Sequence, residues 1–162
     1  MSKQHYEVSS YRAQESVGYL VKRSHSLMHD LVEPLLEAHG FSFIQYVMLA
    51  WLRDGIAINP KTFCALYRHD TGAVTRVIDQ LAERGLLVRV RRDCGDRRKV
   101  ELELTRAGRE AVEQMIPIVV DKLNLALAEF SEAEFEELRR LLIKLNTTMQ
   151  TAVESAGTPA EA

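Results

Sequence analysis

A helix, a turn, a second helix and a basic hairpin follow one another between residues 59 and 109, and this order constrains the fold more than any other feature. Asn59 and Pro60 are typical of a helix start, because Asn accepts hydrogen bonds from free N–H groups and Pro needs no N–H partner there. Asp70 is placed to cap a second helix, and Gly85 to end it in a left-handed conformation. That second helix carries an apolar face of Val74, Val77, Ile78 and Leu81. The pattern predicts a helix-turn-helix.

Two β-prone runs follow the second helix, at residues 86–90 and 100–104. The segment between them, residues 91–99, contains one glycine, four arginines and one lysine. Two such runs joined by a glycine-containing loop are typical of a β-hairpin. We therefore predict a mainly α-helical fold with a small β-hairpin wing, in which a winged helix-turn-helix core is flanked by N- and C-terminal helices. This architecture binds duplex DNA.

The charge distribution agrees with a DNA-binding segment. Residues 61–109 contain 12 Lys and Arg against 7 Asp and Glu, whereas the whole chain contains 21 against 23. With a basic central segment and an acidic remainder, only the central segment of the protein is attracted to DNA phosphates. The charge excess alone would equally suit a solvated surface. Its coincidence with the helix-turn-helix and the hairpin favours DNA.

Apolar residues at helical spacing also occupy both ends of the chain. Residues 12–39 predict one long helix, which Pro34 should kink or divide. A second long helix is predicted from about 105 to about 128, disturbed at Pro117. The small winged-helix core cannot cover these apolar faces in addition to its own.

Two capping boxes mark further helix starts. Ser42 with Gln45 and Ser131 with Glu134 have the required spacing of three residues. After the second box an apolar stripe is formed by Phe135, Leu138, Leu141, Leu142, Leu145 and Met149. We expect these terminal helices to be dimerisation helices that interlock between two chains. The alternative is a helical hairpin within one chain.

The motifs of the central segment resemble those of the multiple-antibiotic-resistance regulator (MarR) family. The resemblance rests on four segments in order: residues 70–81 (DTGAVTRVIDQL), 84–87 (RGLL), 96–98 (DRR) and 104–108 (LTRAG). It implies a dimeric winged-helix transcriptional regulator, usually a repressor relieved by a small ligand or by oxidation. Such a dimer presents two recognition helices about one DNA turn apart, so its operator should be an inverted repeat.

We expect a single MarR-like domain over residues 1–162. Its dimerisation helices are predicted at about 12–40 and about 105–153, and its DNA-binding lobe at about 41–104. The partners expected are double-stranded DNA, a second copy of the chain and a small aromatic or amphipathic effector. No cofactor and no membrane contact are expected.

The face of the second helix opposite its apolar stripe is expected to contact DNA, and it comprises Thr71, Gly72, Ala73, Thr75, Arg76 and Asp79. Gly72 and Ala73 allow close approach, and Arg76 can bind a guanine with two hydrogen bonds. Asp79 either orients Arg76 or is a solvated charge. In the wing, Arg97, Arg98 and Lys99 can contact the backbone or the minor groove. The resemblance implies that Asp96 holds Arg98 extended for insertion into that groove.

A ligand pocket is also expected from the resemblance, because relatives bind small aromatic acids between the dimer helices and the DNA-binding lobe. The candidate residues are Tyr19, Arg23, Met28, Tyr46, Trp51 and Tyr67. An Arg and a Tyr can hold a carboxylate while Trp and Met cover a ring. The alternative for each residue singly is ordinary core packing.

Metal and redox sensing are alternatives with less support. His25 and His29 lie four residues apart, as metal ligands on one helix face would, but the ligand set is incomplete. Cys94 lies among arginines in the wing, where its pKa could fall. Cys64 is interpreted as buried packing. The first 58 residues contain no cysteine, so the reactive cysteine found on the first helix of related peroxide sensors is absent.

Other classes of protein fit the sequence less well. It has no glycine-rich phosphate loop, no GxSxG motif and no paired CxxC, so we expect no enzyme. It has no run of about 18 apolar residues and no apolar signal region, so we expect a cytoplasmic protein. A winged helix that binds only other proteins remains the main rival, because a fold alone does not determine function.

Overall fold

The computed structural model describes residues 4–67, 70–94 and 97–156, without the side chains of residues 92–99. A short 3-10 turn, Ala13–Glu15, precedes the first long helix. The described elements are α1 (Val17–Glu37), α2 (Phe43–Arg53), α3 (Pro60–Tyr67), α4 (Thr71–Glu83), β1 (Leu87–Cys94), β2 (Arg97–Leu104), α5 (Arg106–Ala126) and α6 (Glu132–Ala156). The chain forms two compact units, whose boundary lies after Leu123.

Side-chain caps fix most of the helix starts, as the sequence predicts. The Ser42 hydroxyl accepts a hydrogen bond from the Gln45 N–H, and the Gln45 side chain accepts one from the Ser42 N–H, which completes the first capping box. Ser131 and Glu134 form the second box in the same way. Pro34 lies within α1 and Pro117 within α5, and neither divides its helix.

The helix-turn-helix consists of α3 and α4, which pack against each other. The Asn59 side chain accepts a hydrogen bond from the Thr62 N–H at 2.9 Å, as a cap of α3 should. The predicted apolar face of α4 is buried, as are Phe63 of α3 and Met48 and Leu49 of α2. Cys64 is only partly buried against this core. The first unit therefore has a core of its own, built around α4.

The hairpin is longer than the sequence indicated. β1 and β2 pair antiparallel from Leu87 opposite Leu104 out to Cys94 opposite Arg97. Residues 91–94 and 97–99, which we expected in the loop, are therefore strand. The strand ends were predicted from the alternation of apolar residues, but backbone pairing continues through charged residues without it. The Leu102 N–H also donates to the Ile58 carbonyl at 2.7 Å, which joins the segment before α3 to the open edge of β2.

A close contact joins the end of α4 to the start of α5. Gly85 has φ +69°, the left-handed conformation predicted for the residue that ends α4. The Thr105 hydroxyl donates to the Gly85 carbonyl at 2.7 Å and accepts from the Gly108 N–H at 3.0 Å. The Thr105 N–H donates to the Leu86 carbonyl at 3.1 Å. A Cβ on Gly108 would lie 1.8 Å from the Leu86 oxygen, so only glycine fits there.

The second unit contains α6 with an apolar stripe that this chain leaves exposed. Phe135 is 40% exposed and Leu141 46%, and Leu138, Leu142 and Met149 are exposed as well. Apolar residues of α1, Val17, Leu20 and Leu27 among them, are also exposed. No helix among the described residues is both long enough and apolar enough to cross a membrane.

Replacing Gly108 with Ala tests the contact at Leu86. A side chain at this position must displace backbone, so we expect the free energy of unfolding to fall by about 1–3 kcal/mol. Chemical denaturation followed by circular dichroism measures this. Gly18→Ala is the matched control, because a Cβ on Gly18 meets nothing within 4 Å. Equal stability of the two variants would contradict the close contact.

Candidate nucleic-acid interface

The N-terminus of α4 is held by a single carboxylate. The Asp70 side chain accepts hydrogen bonds from the N–H groups of Gly72 at 3.0 Å and Ala73 at 3.2 Å. These are two of the groups that an α-helix leaves without an internal partner. Asp70 therefore fixes where α4 begins, and the buried apolar stripe of α4 decides which of its residues face solvent.

The opposite face of α4 is accessible, as a recognition helix requires. Thr71, Gly72, Thr75 and Arg76 are exposed, and Ala73 is half-buried. The Thr75 hydroxyl donates to the Thr71 carbonyl at 2.8 Å, so it must rotate before it can donate to a phosphate. Arg76 forms no hydrogen bond or ion pair with any residue that the structure describes, so its guanidinium is available to an external acceptor.

Asp79 has a partner that the sequence did not indicate. Its Oδ1 accepts a hydrogen bond from the Arg89 guanidinium of β1 at 2.5 Å. In this structure Asp79 is therefore paired with Arg89 and not with Arg76, while its side chain is still 49% exposed. Its role toward DNA stays a prediction. The ion pair joins the middle of α4 to the first strand of the wing.

The tip of the wing is only partly described. Arg97, Arg98 and Lys99 belong to β2, and Arg98 is opposite Asp93 in the strand register. Their side chains, that of Cys94, and Asp96 as a whole lie outside the described residues. The predicted action of Asp96 on Arg98, the wing contacts to DNA and a redox role of Cys94 therefore stay predictions.

A polar bracket, formed by Gln45, Gln80 and Arg84, holds the other side of α4 against α2. The Gln45 side-chain amide donates to the Gln80 side-chain oxygen at 3.0 Å. Arg84 donates to the Gly40 carbonyl at 2.9 Å, and its guanidinium lies 4.2 Å from the centre of the Phe41 ring. Sequence reasoning missed this bracket, because its residues are about 40 positions apart in the chain. It restricts rotation of the recognition helix.

A cleft of about 550 Å³ lies between α1, α2 and α3 in the first unit. Its lining consists of His25, His29, Glu33, Ser42, Phe43, Ile44, Trp51, Leu66 and Tyr67. Two predicted ligand residues, Trp51 and Tyr67, are brought together here, with ring centres 5.8 Å apart. Among the residues that the structure describes, neither Lys nor Arg lines the cleft.

The other four predicted ligand residues lie outside the lining of this cleft. Tyr19, Arg23 and Met28 are exposed on α1. Tyr46 is half-buried, and burial raises the pKa of its hydroxyl although the charge of Arg53 opposes the shift. The sequence signal that could have found the cleft is the spacing of four between His25, His29 and Glu33 on α1.

The polar groups of the cleft centre on Glu33. Its Oε2 accepts a hydrogen bond from the Phe43 N–H, the first of α2, at 2.6 Å. His29 Nε2 lies 3.9 Å from the same oxygen. Burial raises the pKa of Tyr67, and the negative charge of Glu33 raises it further, so the Tyr67 hydroxyl stays protonated. No cluster of three or more metal-binding side chains occurs among the described residues.

Comparison with known proteins agrees with this architecture. The MarR family model matches residues 39–99. Transcriptional repressor MprA of Escherichia coli strain K12 is 31% identical over 126 residues, which cover 74% of this chain and 70% of MprA. HTH-type transcriptional repressor NicR of Pseudomonas putida is 27% identical over 135 residues, which cover 83% of this chain and 85% of NicR.

Solved structures show the same fold. BpsR of Bordetella bronchiseptica, whose structure concerns the regulation of its DNA binding by 6-hydroxynicotinic acid, superimposes with a TM-score of 0.70 at 29% identity. The match covers 84% of this chain and 96% of that one. With a repressor more than 30% identical over more than two thirds of its length, the chain belongs to the MarR family of winged helix-turn-helix transcriptional regulators.

Proposed function

We propose that the chain acts as a homodimeric repressor that binds an inverted-repeat DNA operator and is released by a small aromatic ligand. The observation that carries the proposal is the exposed face of α4, where Arg76 has no partner among the described residues and small residues surround the helix start. Both curated relatives are named as transcriptional repressors, which supports the same function here.

DNA binding through α4 follows from the chemistry of this face. Gly72 has no side chain and Ala73 a single methyl group, so the helix N-terminus can enter the major groove closely. Arg76 then lies one turn into the helix, where it can donate two hydrogen bonds to a guanine. From the sequence, Arg97, Arg98 and Lys99 of the wing supply phosphate or minor-groove contacts.

A second copy of the chain is the proposed partner of the exposed stripe on α6. Large apolar residues at a spacing of three and four along one helix face are rarely left in water by a soluble protein. A helix of 25 residues is about 37 Å long, enough for an extended interface with its symmetry mate. The resulting two-fold axis relates two copies of α4, as an inverted repeat requires.

The cleft beside Glu33 is the proposed effector site. Trp51, Phe43 and Tyr67 provide apolar surfaces for a flat ring, and His25 and His29 provide donors for an acid or hydroxyl group. BpsR is regulated by such a molecule, a hydroxylated pyridine carboxylic acid, which supports this ligand class. A ligand hydroxyl or ring N–H that donates a hydrogen bond to Glu33 competes with the Phe43 N–H. It therefore disturbs the start of α2, which the polar bracket joins to α4.

The rival function, a winged helix that binds only proteins, predicts an apolar surface on α4. The exposed side chains on this face are instead those of Thr71, Thr75 and Arg76, which suit a polyanion better. A DNA-binding regulator acts where chromosomal DNA is, so the cytoplasmic location expected from the sequence stays our prediction.

Replacement of Arg76 with Ala tests base recognition. We expect a loss of about 1–3 kcal/mol on the duplex that the wild-type protein selects from a random library, and a smaller loss on a scrambled duplex. Fluorescence anisotropy at several salt concentrations measures both affinities. Arg139→Ala on α6 is the control, because that side chain is paired with Glu136 of its own helix. Equal losses on both duplexes would remove Arg76 from base recognition.

Charges in the α6 stripe test the dimer. The double change Leu138→Glu and Leu142→Glu places two carboxylates where the interface is proposed, and burial of such unpaired charges is costly. We expect sedimentation to show monomers while the α-helical circular dichroism is retained. Lys144→Glu, on the same helix, should leave the dimer intact. An unchanged dimer in the double variant would exclude this stripe from the interface.

The single tryptophan of the chain, Trp51, reports on the cleft directly. We expect 6-hydroxynicotinic acid to change its fluorescence and to lower DNA affinity over the same concentration range. His29→Ala should raise the ligand concentration needed for both effects at least about tenfold, since a hydrogen bond to a charged group is worth about 1.5–3 kcal/mol. Tyr19→Phe, outside the cleft, is the control. If neither fluorescence nor DNA affinity responds, this ligand class is wrong.

A further inference from the structure

We propose that Arg89 is a positioning residue for DNA recognition: it occupies the Asp79 carboxylate, and thereby keeps Arg76 available to DNA. The inference rests on the proposed DNA-binding function and adds a residue that sequence patterns did not single out. Arg89 lies in β1, outside both the recognition helix and the wing tip.

Asp79 is close enough along α4 to compete for Arg76. The two residues are three positions apart, so their side chains lie on neighbouring parts of one helix face. The same protein shows that acidic and Arg side chains pair along a helix in either order, since Glu136 pairs with Arg139 and Glu137 with Arg140 on α6, and Arg106 pairs with Glu110 on α5. Asp79 pairs with Arg89 instead, although its side chain is 49% exposed and therefore open to other cations.

The backbone holds Arg89 in the position that makes this possible. Arg89 is opposite Leu102 in the hairpin register, and Leu102 is buried. Paired residues point to the same side of a two-stranded sheet, so Arg89 projects from the face of the hairpin that packs on α4. The ion pair between Arg89 and Asp79 therefore joins β1 to α4.

Loss of the Arg89 side chain would leave a carboxylate without its partner on the recognition helix. That carboxylate would repel the DNA phosphates, and it would attract the guanidinium of Arg76. Both effects lower DNA affinity, and both require the negative charge of Asp79. Removal of the Asp79 charge should therefore restore DNA affinity to a protein that lacks the Arg89 side chain.

The test is a double-mutant cycle of Arg89→Ala and Asp79→Asn. DNA binding is measured by anisotropy on the duplex selected by the wild-type protein. We expect Arg89→Ala to weaken binding by about tenfold, a typical loss for a residue of a DNA interface. Adding Asp79→Asn to the Arg89→Ala variant should raise its DNA affinity at least about fivefold. The same change should raise the DNA affinity of the wild type several-fold less. Arg76→Ala should lower DNA affinity less in the Arg89→Ala variant than in the wild type.

The control is Arg91→Ala, which removes the same charge two residues further along β1. Its loss of affinity should not be recovered by Asp79→Asn, because Asp79 is paired with Arg89. If Asp79→Asn fails to rescue Arg89→Ala, or rescues Arg91→Ala equally, the inference is wrong and Arg89 acts by direct contact or by general charge. If the wild-type protein selects no duplex at all, the proposed function fails first.

Discussion

The contact between Leu86 and Gly108 is the constraint on which the rest of the DNA-binding unit depends. The Leu86 carbonyl accepts a hydrogen bond from the Thr105 N–H, and Thr105 in turn holds the Gly85 carbonyl and the Gly108 N–H. This small set of bonds closes the base of the hairpin, ends α4 and begins α5. Because any Cβ at Gly108 would overlap the Leu86 oxygen, the three elements can approach only with glycine there. The base of the wing and the end of the recognition helix are therefore held together by the same contacts.

Further along α4, polar side chains from different elements fix the direction in which it faces. Asp70 sets its first turn, Arg89 holds its middle through Asp79, and Gln45 holds Gln80 near its end. Each of these contacts is partly solvated, and a surface ion pair contributes only about 0–1 kcal/mol. Their combined role is therefore orientation more than stability. The buried apolar face of α4 supplies the stability.

Sequence patterns predicted the helices and their caps, because those depend on neighbouring residues. Asp70, the two capping boxes and the left-handed Gly85 all lie where local rules place them. Contacts between distant segments were missed, since nothing in a period of 3.6 residues indicates that Asp79 meets Arg89. Of the six residues proposed from the sequence for a ligand pocket, only Trp51 and Tyr67 line the cleft, because sequence order alone does not show which side of α1 faces α2. The roles of individual residues toward DNA and ligand stay predictions.

The polar groups between the cleft and α4 have energies of the size that regulation requires. Glu33 caps the first N–H of α2 through a charged hydrogen bond, a contact worth about 1.5–3 kcal/mol. Coupling between an effector site and a second site is typically about 1–3 kcal/mol. Loss of the Glu33 hydrogen bond would therefore supply most of the coupling free energy between the two sites, provided that all of its free energy is transmitted to α4. The route is short, because Ser42 and Gln45 continue the same helix start and Gln45 meets Gln80 directly. If the proposed effector site is correct, a ligand at Glu33 would act on α4 through the first turn of α2, by a shift in population between two arrangements of that turn.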